Sequence, residues 1–493
     1  MELGKGGRKL IIRIFFVFFP VLLVWLYVWM CPMRYMDKEL VSFYWTREQA
    51  YTASEKNYDV VILGDSVGNS AYIPELLSEK TINLALPGQT PVEQYYILKN
   101  YLKNHKPPKT CYITFVDGHL GNIEPSFYWR TLCSHVLDVE EEYEIFTQAD
   151  KMGYKNLLKQ GYLSEWAGYR LRSIEKYTPA LITSKFGGRL QINNDALRKM
   201  AIHRGTFYAK GIGEFNAQND THTAASFGMG PFTELYLEKI FMLCSEYGVK
   251  IRFVHLNRMD VEYSEKYLHD FQASFNDKQK YNTNSTLLVL DKFLIPEDLA
   301  DKWHLNNHGA NRFSRYIKQQ YPEDFADDTP VSRDTIAGLI DYIAVENSPD
   351  MLLWWIREHD FSAIFIVRKN GDLLSNSSLR DVIENGGYHD AFMSPAFTSY
   401  GNRCYYFTGD HHTADLAAEG NSVVFKEDGW NGDIIFTDKQ YSGEIKLPNE
   451  EQTRKIFKNN ATALSVVILN NYDKKVVAVK NFVLLHGVYT IMK

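Results

Sequence analysis

The sequence predicts an α/β protein: a five-stranded parallel sheet with its helices, preceded by one transmembrane helix and followed by a smaller, mixed β-rich domain. Three observations predict it. Residues 10–31 (LIIRIFFVFFPVLLVWLYVWMC) are an apolar run broken only by Arg13. From Tyr58 onward, short β-rich runs alternate with helical stretches, the signature of a parallel sheet. After Phe361 the pattern becomes β-rich alternation with Asn-Gly and Asp-Gly turns, which marks hairpins.

The apolar run comes first. A helix of about 20 residues crosses a bilayer core, and this run is longer than the ~7–15 residues of a signal-peptide core, with no A-x-A-like site after it. Lys5, Arg8, Lys9 and Arg13 precede or enter it, whereas Arg34 and Lys38 beyond it are offset by Asp37 and Glu39. The charge asymmetry places residues 1–34 as a cytoplasmic N-terminus and single-pass anchor, with the bulk of the chain extracytoplasmic.

Next come YDVVIL, a helix over 71–79, TINLAL, the helix VEQYYILKNYLKN and TCYITFV, a βαβαβ series. The rhythm stops at Asp117 for a Tyr-rich, partly helical insertion of about 117–231. It resumes with the helix TELYLEKIFMLCSEYG, then VKIRFVHL, a further helix and TLLVLD, the fifth strand. An insertion after the third strand lies where such sheets carry ligands, so it builds or covers a site, or serves as a helical buttress. Pro, Asp and Ser gather over 322–331 and divide a catalytic-type domain at 35–325 from a helical connector at 326–359 and a β-rich domain at 360–493.

With 493 residues, 45% hydrophobic and 23% charged, the chain has the composition of several packed domains and excludes wholesale disorder. Its 54 Lys+Arg against 60 Asp+Glu supply no polycationic face, which argues against nucleic acid as a partner. The five cysteines are widely spaced with no CxxC. Neither a zinc knuckle nor a dense disulfide framework is written in such spacing, and at most two bridges could form. Asp410-His411-His412 reads as a solvated loop, since a local pair without convergent ligands makes no metal site. No cofactor is expected.

The chemistry-bearing signal is VVILGDSVGNSAY, where a strand runs into Gly64-Asp65-Ser66 and then a helix. A serine on such a turn stands at the sheet edge beside backbone N–H groups able to hold an oxyanion; the purely structural alternative is that Ser66 caps the following helix. A second island, Asp301-Lys302-Trp303-His304, follows the last strand and precedes an amphipathic helix. A D-x-x-H turn can aim the carboxylate at one ring nitrogen and leave the other as a base, as a Ser-His-Asp relay requires. His255 and His308 read as structural, and Trp354 and Trp355 read as core before sugar-stacking platforms.

ILGDS, INLALPG and DKWHLNNHGANRFS, in this order and spacing over about residues 55–320, resemble the SGNH (GDSL-like) hydrolase family. The resemblance implies a three-layer αβα fold with Ser66, Asp301 and His304 as catalytic residues, and an oxyanion hole from the N–H groups of Ser66 and Gly88 plus an Asn side chain. After the third strand the chain reads Val116-Asp117-Gly118-His119-Leu120-Gly121-Asn122 and departs from the family's G-x-N-D pattern. Asn122 is the nearest candidate, and His119 the alternative polar group.

The anchor makes the chain similar to the exported members of alginate O-acetylation and teichoic-acid D-alanylation, which work beside a membrane-bound O-acyltransferase. The resemblance implies a serine esterase or O-acyltransferase that acetylates or deacetylates a cell-envelope polysaccharide; the alternative is a catalytically poor scaffold that binds a glycan or such an acyltransferase. FSAIFIVRKNGDLL, AFMSPAFTSYGNRCYYFTG and SVVILNNYDKKVVAVKNFVL resemble the interleukin-like EMT inducer domain, which implies possible glycan binding.

Overall fold

In the computed structural model, residues 5–492 are described except 124–126, 160, 174–187, 208–221, 369–370, 389–391, 394, 398–400, 410–415, 421, 428–429, 437–440, 446–453, 456–462, 474 and 486–487. The chain forms two units, Met1–Thr335 and Ile336–Lys493.

Five all-parallel strands make the sheet of the first unit: β1 (Val60–Gly64), β2 (Thr81–Asn83), β3 (Thr110–Thr114), β4 (Lys250–Leu256) and β5 (Ser285–Leu290), in the order β2-β1-β3-β4-β5. Val60 stands opposite both Thr81 and Thr110, and Ile251 opposite both Cys111 and Ser285. Every residue of β1 and β3 is buried, which is why these strands read as continuous rather than alternating apolar runs.

The apolar N-terminus is one helix, α1 (Lys5–Met30), whose stretch from Arg13 to Met30 is long and apolar enough to cross a membrane. After α2 (Val41–Tyr51) and β1 the chain departs from expectation. In place of one helix over 71–79 there are two, α3 (Ser66–Ala71) and α4 (Pro74–Leu77). Pro74 starts the second and holds Ile73 in extended backbone (φ −105°, ψ 100°), because a residue before proline is pushed out of the helical region. The strand expected over TINLAL pairs regularly only to Asn83, after which Leu84 and Leu86 still donate to the Ile62 and Gly64 carbonyls at 2.8 and 3.1 Å.

Helix α5 (Pro91–Asn104) starts with a capping box, Thr90 accepting from Val92 N–H and Glu93 returning to Thr90 N–H. It packs on α2 and on α10 (Pro231–Glu246). Phe241 of α10 meets Phe275 of α11 (Glu265–Lys278) at 5.6 Å. The last helix, α12 (Asn307–Gln320), packs against α3 and α4; Ser314 Oγ accepts from Ile73 N–H at 2.8 Å. Right-handed crossovers put connections of opposite direction on opposite faces. The β1→β2 step runs one way and β2→β3→β4→β5 the other, so the direction reverses between β1 and β3.

Between β3 and β4 the described part of the insertion carries α6 (Asp117–Gly121), α7 (Val139–Lys151), α8 (Tyr162–Arg170) and α9 (Gly188–Ile202). Its strand His222–Ala224 pairs in parallel with Val261–Tyr263. Its 204–207 stretch braces α3: Arg204 O accepts from Asn83 N–H at 2.9 Å, and Asn69 Nδ2 donates to Gly205 O at 2.9 Å. Gly205 (φ +96°) is required there, since a Cβ would stand 1.9 Å from Asn83 O.

In the same insertion, burial and the nearby Arg172, Arg170 and Arg47 push His135 down to about 3. The unfolded chain therefore binds the proton that the folded one refuses, and stability is lost as pH falls from about 6.5 toward 3, by up to about 1.4 kcal/mol per unit. Replacing His135 (φ 57°) by Asn, which tolerates that backbone, should flatten the loss of thermal midpoint between about pH 7 and about pH 5. An unchanged slope would remove His135 as its source.

Asp324, just after α12, closes the sheet's middle. Its carboxylate accepts from Thr110 Oγ1 (3.1 Å), Tyr112 OH (3.0 Å) and Arg252 Nε (2.9 Å).

The second unit begins within α13 (Arg333–Val345), followed by α14 (Pro349–Glu358). An antiparallel sheet runs in the order 488–491, 475–485, 464–470, 361–367, 403–408, 396–397, and a second antiparallel sheet joins the strands of 416–455 consecutively. Ile364, Cys404 and Val467 of one pack with Val423, Trp430 and Ile434 of the other, and Trp430 Nε1 donates to Asn471 Oδ1 at 2.7 Å. Helix α14 covers strands 361–367 and 403–408. Trp355 is wholly buried there, stacked on Tyr342 at 5.8 Å, whereas Trp354 lies under the Arg357 guanidinium at 4.7 Å.

Candidate active site

The reversal of strand direction opens a crevice at the carboxyl ends of β1 and β3, where ligands bind in open α/β sheets. The two strand ends come close at Gly64, where a Cβ would stand 2.0 Å from Thr114 O. Ser66 follows as the first residue of α3, half-buried. The cap is not Ser66: Asp65, fully buried, caps α3 by accepting from Val67 N–H at 2.8 Å. The alternative role for the serine thus falls to its neighbour.

Asp65 also reaches across the crevice. Its other oxygen accepts from Val116 N–H at 2.7 Å and meets His119 Nδ1 at 2.7 Å. An acceptor facing the ring at that distance places the His119 proton on Nδ1. His119 sits in α6, just past β3, with its side chain 15% exposed.

The second island forms as expected. Asp301 Oδ2 and Oδ1 lie 2.8 and 3.0 Å from His304 Nδ1, and Oδ1 also accepts from the N–H groups of Trp303 and His304 at 2.7 and 2.9 Å. Partial burial pulls the Asp301 carboxyl up, but the His304 ring and those N–H groups outweigh it and hold it below the usual carboxylate range. With Nδ1 committed to Asp301, Nε2 is the basic nitrogen. Trp303 lies beneath the Arg258 guanidinium at 3.4 Å, and Arg258 is held by Asp260 at 2.5 Å, so the turn is fastened to the loop after β4.

His304 thus stands three residues ahead of α12, which packs on the helix that Ser66 begins. Among the described residues the Ser66 hydroxyl and His304 are not hydrogen-bonded to each other; such contacts are often long in ligand-free sites and tighten with substrate.

No model of a known protein family and no curated protein matches the chain.

Gly88 occupies a tight turn at φ +70°, closed by Gln89 N–H to Leu86 O at 3.2 Å. A run of side chains joins this turn to β1. Gly64 N–H, which can only donate, is taken by Gln94 Oε1 (3.3 Å), so Gln94 Nε2 faces Gln89 Oε1 (2.6 Å). Asn122 ends α6 and is exposed; its carboxamide oxygen is 3.2 Å from Asn156 Nδ2 and 3.5 Å from Tyr154 OH, both residues of the insertion. The group joined to the Ser66 turn is His119, not Asn122.

Two other histidines are structural in their contacts. His255, 1% exposed, holds Asp117 Oδ1 at 3.1 Å among Phe271 and Tyr263. His308 Nε2 is 3.8 Å from Asp298. Asp410, His411 and His412 lie outside the described residues. Asp65, Gln89 and Gln94 escaped the sequence reading; the one available signal was Asp65 itself, an acid directly ahead of a helix start.

Proposed function

We propose that the chain is a membrane-anchored, extracytoplasmic SGNH-type serine esterase or O-acyltransferase acting on a cell-envelope polysaccharide. The observation that carries the reading is the division of labour at the crevice: Asp65 caps α3, which leaves Ser66 at the strand-to-helix turn, while the Asp301–His304 pair leads into the helix packed against it. The Arg and Lys residues ahead of α1 support a cytoplasmic N-terminus.

In this reading His304 Nε2 takes the Ser66 proton as Oγ attacks the ester carbonyl. The N–H groups of Ser66 and Gly88 receive the oxyanion. The imidazolium, steadied by Asp301, returns its proton to the departing alkoxide and leaves an acyl-serine. A second hydroxyl, from water or a sugar, gives its proton to His304 as its oxygen takes the acyl group, and His304 passes that proton to the departing Oγ, which regenerates Ser66.

A serine-reactive fluorophosphonate is expected to label Ser66, and mass spectrometry of the labelled peptide checks it. Asp301→Asn frees the wrong ring tautomer and should lower acetyl-ester turnover by about 10³-fold or more, with little change in KM. An Asp301→Asn enzyme that keeps full turnover would sink the relay.

A second reading, a glycan-binding or acyltransferase-binding scaffold, draws on the lack, among the described residues, of a hydrogen bond between the Ser66 hydroxyl and His304. It predicts an unlabelled serine on a folded protein.

A further inference from the structure

The anchor helix is not a free tether. Its outer turns are docked on the insertion: Trp25 Nε1 donates to Leu171 O at 2.8 Å, Arg172 Nη1 donates to Trp29 O at 2.9 Å, and Val28 is wholly buried. Beyond the helix, Asn193 of α9 donates to the Met33 and Met36 carbonyls at 2.8 and 2.9 Å. The remainder of the stretch from Arg13 to Met30 is exposed apart from half-buried Trp25.

If α1 spans the bilayer, the depth of Leu171 follows from where the span lies. Trp25 is five residues before Met30, about 7.5 Å along the axis, a distance comparable to the ~5–7 Å interfacial layer. Two placements are open. Should the apolar core end before Trp25, so that the insertion stays above the membrane, Arg13 falls about 16 Å inside it, near the midplane of a ~30 Å core, where an arginine is most costly. Should it end near Met30, about 20 residues back is Ile11; Arg13 then lies close to the inner edge, within snorkelling reach, and Trp25, Tyr27 and Trp29 fall within about 7.5 Å of the outer edge, where the core meets the interface and such aromatic side chains gather. The second placement satisfies both ends of the helix.

We infer that the turn at Leu171–Arg172 sits in the outer interfacial layer of the membrane and makes a second, monotopic lipid contact beside α1. Its chemistry suits that layer. The Leu171 side chain is apolar and 49% exposed, whereas the Arg172 guanidinium is turned inward, 6% exposed, onto a carbonyl of the helix's last turn, one of the acceptors that a helix end leaves unpaired. The docked geometry holds the first unit at the bilayer surface in one orientation. The inference rests on reading α1 as a membrane span.

The test uses the full chain in phosphatidylcholine nanodiscs, with Cys31 and Cys133 replaced by Ser. An environment-sensitive NBD fluorophore is placed on Leu171→Cys, on Val17→Cys within the span, and on His269→Cys, whose side chain is 83% exposed. The expected result is a blue-shifted Leu171 probe, quenched by doxyl-labelled lipid and several-fold less accessible to iodide than the His269 probe. A Leu171 probe as open to iodide as that at His269, with Val17 still protected, overturns the inference and leaves the anchor standing. Protection from iodide without doxyl quenching also overturns it, since it marks a protein contact. A Val17 probe open to iodide overturns the anchor itself and the inference with it.

Discussion

Ser66→Ala is expected to lower ester turnover by about 10⁴-fold or more while leaving the fold intact. Without Oγ no acyl-serine forms, and only the oxyanion donors and substrate binding remain to assist water. The fold should not notice the change, because the α3 cap is the Asp65 carboxylate. A serine cap replaced by alanine costs about 1 kcal/mol, so a thermal midpoint equal to that of the unaltered protein separates the two roles. Acetyl-ester hydrolysis, fluorophosphonate labelling and the midpoint, measured together, decide the matter. An alanine variant that retains turnover sinks the serine mechanism; one that loses stability instead returns Ser66 to a structural part.

Gly64→Ala is expected to be the most damaging single change to the first unit. At φ +148° the backbone is one that only glycine adopts readily, and the new Cβ would stand 2.0 Å from Thr114 O. That oxygen belongs to a strand paired to β1 over five residues, so it cannot retreat without opening the ladder at the sheet's centre. The cost should exceed about 3 kcal/mol, read as a collapse of the first unit's thermal midpoint and rapid proteolysis. Gly118→Ala, where a Cβ meets nothing within 4 Å, is the matched control and should leave the midpoint within a few degrees. Equal behaviour of the two variants would contradict the close approach at Gly64.

The parts of this protein that were legible in the sequence are those where one physical demand dominates a contiguous stretch. Parallel strands buried on both faces leave apolar runs such as Val60 to Leu63, and a bilayer-length apolar helix leaves residues 10–31. The D-x-x-H turn was legible because its hydrogen bonds span three residues. What was not legible depends on groups far apart in the chain. Asp65 bonds Val116 and His119 some fifty positions away, and nothing local distinguishes it from Ser66 as the cap. Asn122 is the residue nearest the family pattern in sequence, and its carboxamide oxygen is directed to Asn156, a contact set by how the insertion folds back. The helix expected over 71–79 failed for a local reason, the effect of Pro74 on Ile73.

Asp324 has a consequence in time. The β3 groups it holds, Thr110 and Tyr112, lie 214 and 212 positions upstream, and Ser314 bonds Ile73 across 241. Synthesis proceeds at about 5–20 residues per second, so Thr110 and Tyr112 wait roughly 10–40 s between leaving the ribosome and meeting their carboxylate. Long-range closure of this kind is slow even for a finished chain. During that interval the middle of the sheet is incomplete and its apolar faces are uncovered, which makes the nascent first unit a substrate for chaperones and proteases well before it is anything else.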